Sequence, residues 1–411
     1  MRIALLTAVL VAAPLIARAG GFELVEQSPV GVATAGAQTA NADDPAAVYY
    51  NPAGLAFQRG LGVLGGVDVL HSEVRVKTPA APSVSATGTV ATPIAYVTQR
   101  LGPHFAVGIG VFSNFVEHLE YPTGWAGRHS GTFFDLTTTT INPSVAIRPI
   151  PQIAIGFGFD IVPASFDLRH DITAGSSHSA TTATGLGGNV GILIRVVPRY
   201  LQIGASYRSA VDLDLAGTGV IGVAGAALEQ QDAKLTLPLP HNFGFGLASR
   251  PTTGLTLTAD ARLTLWSDLH NLTLSYTDPS AGLGAIATKD TLALNQRDAY
   301  GFRVGGEYRF LGEQVRVRLG VGFDTSPVRR GWLQPFTPDS NRVIIGAGLG
   351  CHHGIFGVDV GYSAQIVLDR TSSNPDPGLA TYSAVQHVIS LALQVRLEEL
   401  GGRINVPEYK N

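Results

Sequence analysis

The chain has 411 residues, enough for two ordinary domains or one large barrel. Charged residues make up 14% and glycines number 49, against about 25% charged residues in typical soluble proteins, so the composition favours β structure in an apolar setting. The formal charge of -3, without a run of Lys and Arg, gives nucleic-acid binding no electrostatic footprint. The single Cys351 excludes an internal disulfide and reads as a small packed residue.

The first element is a processing segment. Arg2 precedes an apolar stretch from Ile3 to Ile16, and Ala17-Arg18-Ala19 fits the small-residue cleavage rule. Residues 1–19 read as a signal peptide, with the mature chain starting at Gly20. The stretch is short for an anchor, and no later one reaches the ~20 apolar residues of a spanning helix. The periplasm and the outer membrane remain.

Residues 20–60 are rich in Gly and Ala and lack period-two order. Asp43-Asp44-Pro45 and Asn51-Pro52 are turn initiators. The apolar content of this stretch argues for a compact plug ahead of the first strand rather than a disordered arm. From residue 61 to 397 about fourteen strands can be placed, at 61–77, 86–101, 104–116, 132–148, 152–169, 181–197, 200–216, 230–249, 254–277, 297–310, 314–325, 341–351, 354–369 and 382–397. Residues 398–411 form a charged periplasmic tail.

Alternation defines these strands. From Leu255 to Leu265 every odd residue is apolar and every even one polar, and side chains on a strand point to opposite faces in turn. The runs from Ile153, Phe302 and Val315 repeat the pattern. Asp260, Arg262, Arg303, Glu307, Arg316, Arg318, Asp324 and Asp359 then share an inward face, where ion pairing across the wall or to the plug is expected. Parity changes near Ser267-Asp268, as a β-bulge would cause, because Leu272, Leu274 and Tyr276 are even. The connections alternate between tight turns (such as Gly102-Pro103, Pro198-Arg199 and His352-His353) and longer loops. Thr78 to Ser85, His170 to Ala180 and Gly217 to Glu229 are among the loops. That sorting is the layout of a transmembrane antiparallel β-barrel, all-β in class, and a soluble sandwich has no reason for it.

Several stretches together resemble the FadL/TodX family of outer-membrane transporters for long-chain fatty acids and other hydrophobic compounds. They are Gly21-Phe22, Gly31 to Gly36, Ala42-Asp43-Asp44 and Asn51-Pro52-Ala53-Gly54-Leu55, then Trp125-Ala126-Gly127-Arg128 and Ile141-Asn142-Pro143-Ser144. Leu239-Pro240-His241, Trp266-Ser267-Asp268 and Gly322 to Pro327 follow in order. The resemblance implies a fourteen-stranded barrel whose lumen is closed by an N-terminal hatch, here carrying Gly21, Phe22, Asp43, Asp44, Asn51, Pro52 and Ala53. It also implies an apolar luminal pocket, with Phe22 and Leu24 as contacts, and a kink in the third strand that opens sideways into the bilayer. Phe112-Ser113-Asn114 breaks the parity of that strand.

Catalytic chemistry is missing: there is no His-Glu-x-x-His pair and no Gly-x-Ser-x-Gly turn. His352 and His353 are adjacent and face opposite ways, which is poor for chelation. Gly346-Ala-Gly348-Leu-Gly350 lies inside an alternating strand and reads as thinned packing. Neither metal nor other cofactor is expected. Candidate capture surfaces are the apolar stretch 217–228, with Val220 and Ile221, and the cluster of Phe112, Phe115, Leu119, Tyr121 and Trp125; loop self-packing is the competing explanation for both. The expected partners are a long-chain fatty acid or another hydrophobic small molecule, and outer-membrane lipid, with the protein a monomer. A plain pore and a membrane hydrolase are the alternatives. The ligand is a fatty acid, an alkane or an aromatic hydrocarbon.

Overall fold

The computed structural model describes residues 21–79, 81–172, 175–223, 229–276, 289–373 and 379–397. The expected signal peptide and tail lie outside the described residues. Among those described, twenty strand segments form fourteen antiparallel strands. The first seven are β1 (Leu61–Thr78), β2 (Ala81–Arg100), β3 (Phe105–Phe112 and Val116–Glu120), β4 (Phe133–Thr138 and Thr140–Ile150), β5 (Ile153–Ile172), β6 (Gly175–Val197) and β7 (Leu201–Arg208 and Val211–Val223). The others are β8 (Glu229–Leu239 and His241–Thr252), β9 (Leu255–Leu265 and Asn271–Tyr276), β10 (Lys289–Ala293 and Ala299–Phe310), β11 (Val315–Asp324), β12 (Arg342–His353), β13 (Phe356–Thr371) and β14 (Thr381–Leu397). Each pairs with the next, and β14 returns to β1 from Leu61↔Leu397 to Lys77↔Thr381. The sheet thus closes, leaving no edge for another chain to join.

Alternation places the lower, short-turn part of the wall as expected. Phe157, Phe159, Phe245, Leu257, Phe302, Val304, Leu319, Val321, Ile345 and Leu349 are exposed on the outside. Asp260, Arg303, Glu307, Arg318, Asp324 and Asp359 are buried on the inside. Cys351 is exposed on the same outward face as Leu349, so it is not the packed residue the sequence suggested.

Further up, the chemistry of the two faces inverts. In β7, Val211, Leu213 and Leu215 point inward while Asp212 and Asp214 point out; in β8, Leu235 and Leu237 are buried while Lys234 and Thr236 are exposed. In β9, Trp266–Asp268 forms a 3-10 turn, after which Leu272, Leu274 and Tyr276 face inward like Asp260 before them. The facing parity therefore persists, and the inner surface changes from polar to apolar. This corrects the bulge reading, which assumed that apolar residues always faced lipid. It also explains why several loops proved to be strand. Residues 81–85, 170–172, 175–180 and 217–223 continue their ladders, with Thr78↔Ala81, Ile172↔Gly175 and Val220↔Gln230 in register. His352 and His353 end β12, and the turn follows at Gly354.

Residues 21–60 lie inside the ring. They form α1 (Pro29–Ala33), capped by Ser28, then α2 (Ala47–Tyr50) and a 3-10 turn at Pro52–Phe57, capped by Asn51 Oδ1. The wall makes room for them with inward glycines. A Cβ added at Gly320 would sit 2.3 Å from the Thr34 carbonyl carbon, and at Gly156 2.3 Å from the Ala53 nitrogen. One at Gly346 would come within 2.5 Å of the Val32 oxygen. The glycine-rich run in β12 is therefore the floor on which α1 rests.

Candidate functional site

Polar anchors fix this segment against the lower wall. Asn51 Nδ2 donates to Thr39 O (2.9 Å) and Ile192 O (3.1 Å), Gln202 Nε2 to Ala40 O (2.6 Å), and Thr39 N to Asp260 Oδ2 (2.7 Å). Arg262 pairs with Glu23 (2.5 Å), and Arg208 pairs with Asp160 and donates to Tyr49 O (3.3 Å). Along the wall itself Arg303 pairs with Asp324 (2.7 Å), and Arg318 with both Glu307 and Asp359 (2.6 Å each). Arg316 is half-buried at the short-turn end and has no ion pair among the described residues. His352 turns in to Asp359 (2.9 Å) while His353 turns out, and no group of metal-ligating side chains occurs among the described residues. At the mouth, burial pushes the Asp43 carboxyl up, but Arg309, Arg250 and Arg396 outweigh it and hold it at about 2. Burial and then the charge of Asp43 push Asp44 up to about 7.

Above these anchors the interior is apolar. Phe22 meets Trp266 edge-on at 4.8 Å and Phe115 at 6.1 Å, and Phe115 meets Trp266 at 5.9 Å. Leu136, Phe166, Leu213, Leu237 and Leu274 continue the same buried cluster. The loop after β11 covers it: Phe336 is stacked with Phe134 at 6.1 Å. A small cavity of about 30 Å³ beside Phe22 is lined by Val74, Val328, Phe336 and Val367 and by the charged Arg342, Glu117 and Asp339. Arg342 is buried, bonded to Asp324 and Gln386 at 3.3 Å each.

The wall breaks beside this chamber. The β2–β3 ladder stops at Ala95↔Val111 and resumes at Thr87↔Glu120. Between Phe112 and Val116 the β3 backbone bonds instead to the internal segment: Leu24 N donates to Asn114 O (2.8 Å) and Val116 N to Phe22 O (3.2 Å). Gln27 Nε2 donates to Ser113 O (2.6 Å). The parity break at Phe112-Ser113-Asn114 therefore marks a place where a strand leaves its neighbour to pair with residues 22–24.

Of the apolar residues singled out from sequence, Phe22 and Phe115 meet in this cluster, and Leu119, Tyr121 and Trp125 meet in a separate one. Phe112 packs with Tyr49 and Tyr96 lower down, and Leu24 with Val32, Leu70, Val116 and Val388. Trp125 is 4% exposed and stacked on Tyr121 at 4.3 Å, so the loop packs on itself and offers no outer groove there. Val220 is half-buried and, like Ile221, lies in the β7 ladder, so residues 217–223 are strand rather than loop; residues 224–228 fall outside the described residues. Sequence reasoning missed Trp266, Phe336 and Arg342 as one site. Inward parity was the available signal for Arg342, and none existed for a loop residue such as Phe336.

A family model described as outer membrane protein transport protein (OMPP1/FadL/TodX) matches residues 9–396. The chain belongs to this family. A long-chain fatty acid transport protein of Escherichia coli O6:H1 is 26% identical over 387 residues, covering 80% of this chain and 82% of its own. Outer membrane protein P1 of Haemophilus influenzae is 25% identical over 382 residues, covering 79% and 81%. Among solved structures, a Pseudomonas aeruginosa FadL homologue superposes with a TM-score of 0.80 at 18% identity, covering 92% of this chain and 99% of its own. The Pseudomonas putida toluene transporter TodX does so with 0.73 at 15%, with the same coverage. This FadL/TodX-family barrel is therefore an outer-membrane transporter, and its family consists of transport channels rather than enzymes.

Proposed function

We propose that the protein takes up long-chain fatty acids passively, with residues 20–60 acting as a hatch and the break in β3 as a sideways exit. The observation that carries this reading is a shared set of bonds. Phe22 forms part of the apolar chamber, and its carbonyl holds Val116 at the break. A ligand that displaces the Phe22 ring acts at the same time on the strand beside the gap. An acyl chain gains about 0.8 kcal/mol per CH₂ on leaving water, so a dry chamber suffices to draw it in.

Arg342 favours a carboxylate ligand over a pure hydrocarbon. It borders a mixed cavity beside Phe22, and its fork matches a carboxylate in plane, although an incoming carboxylate competes there with Asp324, Asp339 and Glu117. The apolar and aromatic lining also suits a monoaromatic molecule, which is the second reading. Binding of oleate and of toluene to wild type and Arg342→Gln separates them. A charged hydrogen bond contributes about 1.5–3 kcal/mol, so oleate affinity should fall at least tenfold and toluene affinity should stay unchanged. Equal losses, or none, would remove the fatty-acid assignment. For the exit, Asn114→Trp should keep oleate binding and abolish uptake; normal uptake would refute the sideways route.

A further inference from the structure

We propose that the periplasmic mouth, at the opposite end from the apolar chamber, binds a small organic anion with a carboxylate or phosphate head. Arg59, Arg195, Arg199, Arg250, Arg309 and Arg396 line one vestibule of about 490 Å³, against only two carboxylates, Asp43 and Glu313. Those carboxylates are already engaged. Asp43 lies 3.3 Å from Arg309 and 3.8 Å from Arg250, and Glu313 lies 3.7 Å from Arg309. Among the described residues, Arg59, Arg195 and Arg199 have no ion pair. Like charges gathered in one concavity repel, and an anion entering among them relieves that repulsion while accepting paired N–H donors.

Two features make the vestibule more than a charged rim. The Arg195 guanidinium lies 3.8 Å from the centre of the Phe57 ring, and the Arg148 guanidinium 5.7 Å from it, so one aromatic ring holds two cations in place. Arg199 sits in the turn after β6 at φ 70, a left-handed conformation that glycine adopts without strain. The chain thus keeps an arginine where its backbone favours another residue, which points to a use for the cation. Leu193, Val197 and Leu201 line the same space, so the ligand carries a short apolar part beside its head. This site does not depend on which molecule fills the upper chamber.

The test uses the full mature protein in detergent and hexyl phosphate as probe, followed by ³¹P line broadening. Hexanoate should compete, and raising salt from 0.05 to about 0.5 M should weaken binding, because exposed charges are screened within about 10 Å at 0.1 M. Competition by inorganic phosphate as strong as that by hexanoate would assign the site to free anions; weaker competition would assign it to amphiphiles. Arg199→Gly, which removes the charge and relieves the turn, combined with Arg195→Gln should lower affinity at least tenfold. Heat-modifiable mobility on gels should remain, showing an intact barrel. Trp266→Ala should leave the affinity unchanged, whereas it should impair oleate binding above. Equal competition by hexanol, or unchanged affinity in the folded double variant, would overturn the proposal.

Discussion

The inward glycines allow the internal segment, residues 21–60, to be dislodged without touching it. At Gly320 an added Cβ lies 2.3 Å from the carbonyl carbon of Thr34 and 2.5 Å from its Cα; at Gly156 it lies 2.3 Å from both the Ala53 nitrogen and the Pro52 carbonyl carbon. These are backbone atoms of residues 21–60, so no rotamer change relieves the clash. The wall does not yield easily either, since Gly320 is paired with Gly305 and Gly346, and Gly156 with Ala146 and Gly191. Overpacking costs about 1–3 kcal/mol per site. The two sites press on different parts of the segment, so Gly156→Val with Gly320→Val should cost roughly 2–6 kcal/mol. At 1.36 kcal/mol per factor of ten, docking of the segment weakens by roughly thirty-fold to twenty-five-thousand-fold. Gly65→Val is the control, because nothing lies within 4 Å of its Cβ. Planar-bilayer recordings should show little current for wild type and the control, and a steady current for the double variant, whose barrel remains heat-modifiable. A silent double variant with a folded barrel would refute the argument that these glycines hold the plug in place.

Glu26 is buried, its Oε1 has no partner, and burial raises its pKa above 4.5. Because the released chain ionises first, docking of the segment should weaken as pH rises above 4.5. Glu26→Gln should flatten that dependence in protease-protection measurements between pH 5 and 8, and an unchanged slope would contradict it. Tyr96 donates to Gln27 O at 3.0 Å, so Tyr96→Phe should lower the stability of the docked segment by about 1 kcal/mol in the same assay. Trp266→Ala should reduce oleate affinity more than tenfold while leaving gel mobility intact; full affinity would detach the ring cluster from ligand binding.

The lower wall was legible because one rule governs it. From Leu255 to Leu265, lipid outside and charge inside alternate strictly, and Asp260 and Arg262 face inward accordingly. The rule fails further from the short turns, where Leu213 faces in and Asp214 out, so the sequence pattern ends β7 at residue 216. The break in β3 left a local mark in Phe112-Ser113-Asn114, although its partner, residues 22–24, lies some ninety positions away and leaves no pattern. Phe336, Trp266 and Arg342 meet only through the closure of the ring. The glycine excess was visible as composition, while its cause, a backbone lying against the inner wall, required the three-dimensional register.

The proposed sideways route requires no removal of the internal segment, and a disulfide tests this directly. A Cβ at Gly322 would lie 3.4 Å from that of Ala35, close to the 3.5–4.5 Å of a disulfide, so Ala35→Cys and Gly322→Cys in a Cys351→Ser background should join segment to wall. Oleate uptake by cells carrying this variant should be the same oxidised and reduced. Uptake lost on oxidation and restored by reductant would contradict the account, because the ligand would then leave by the path the hatch blocks.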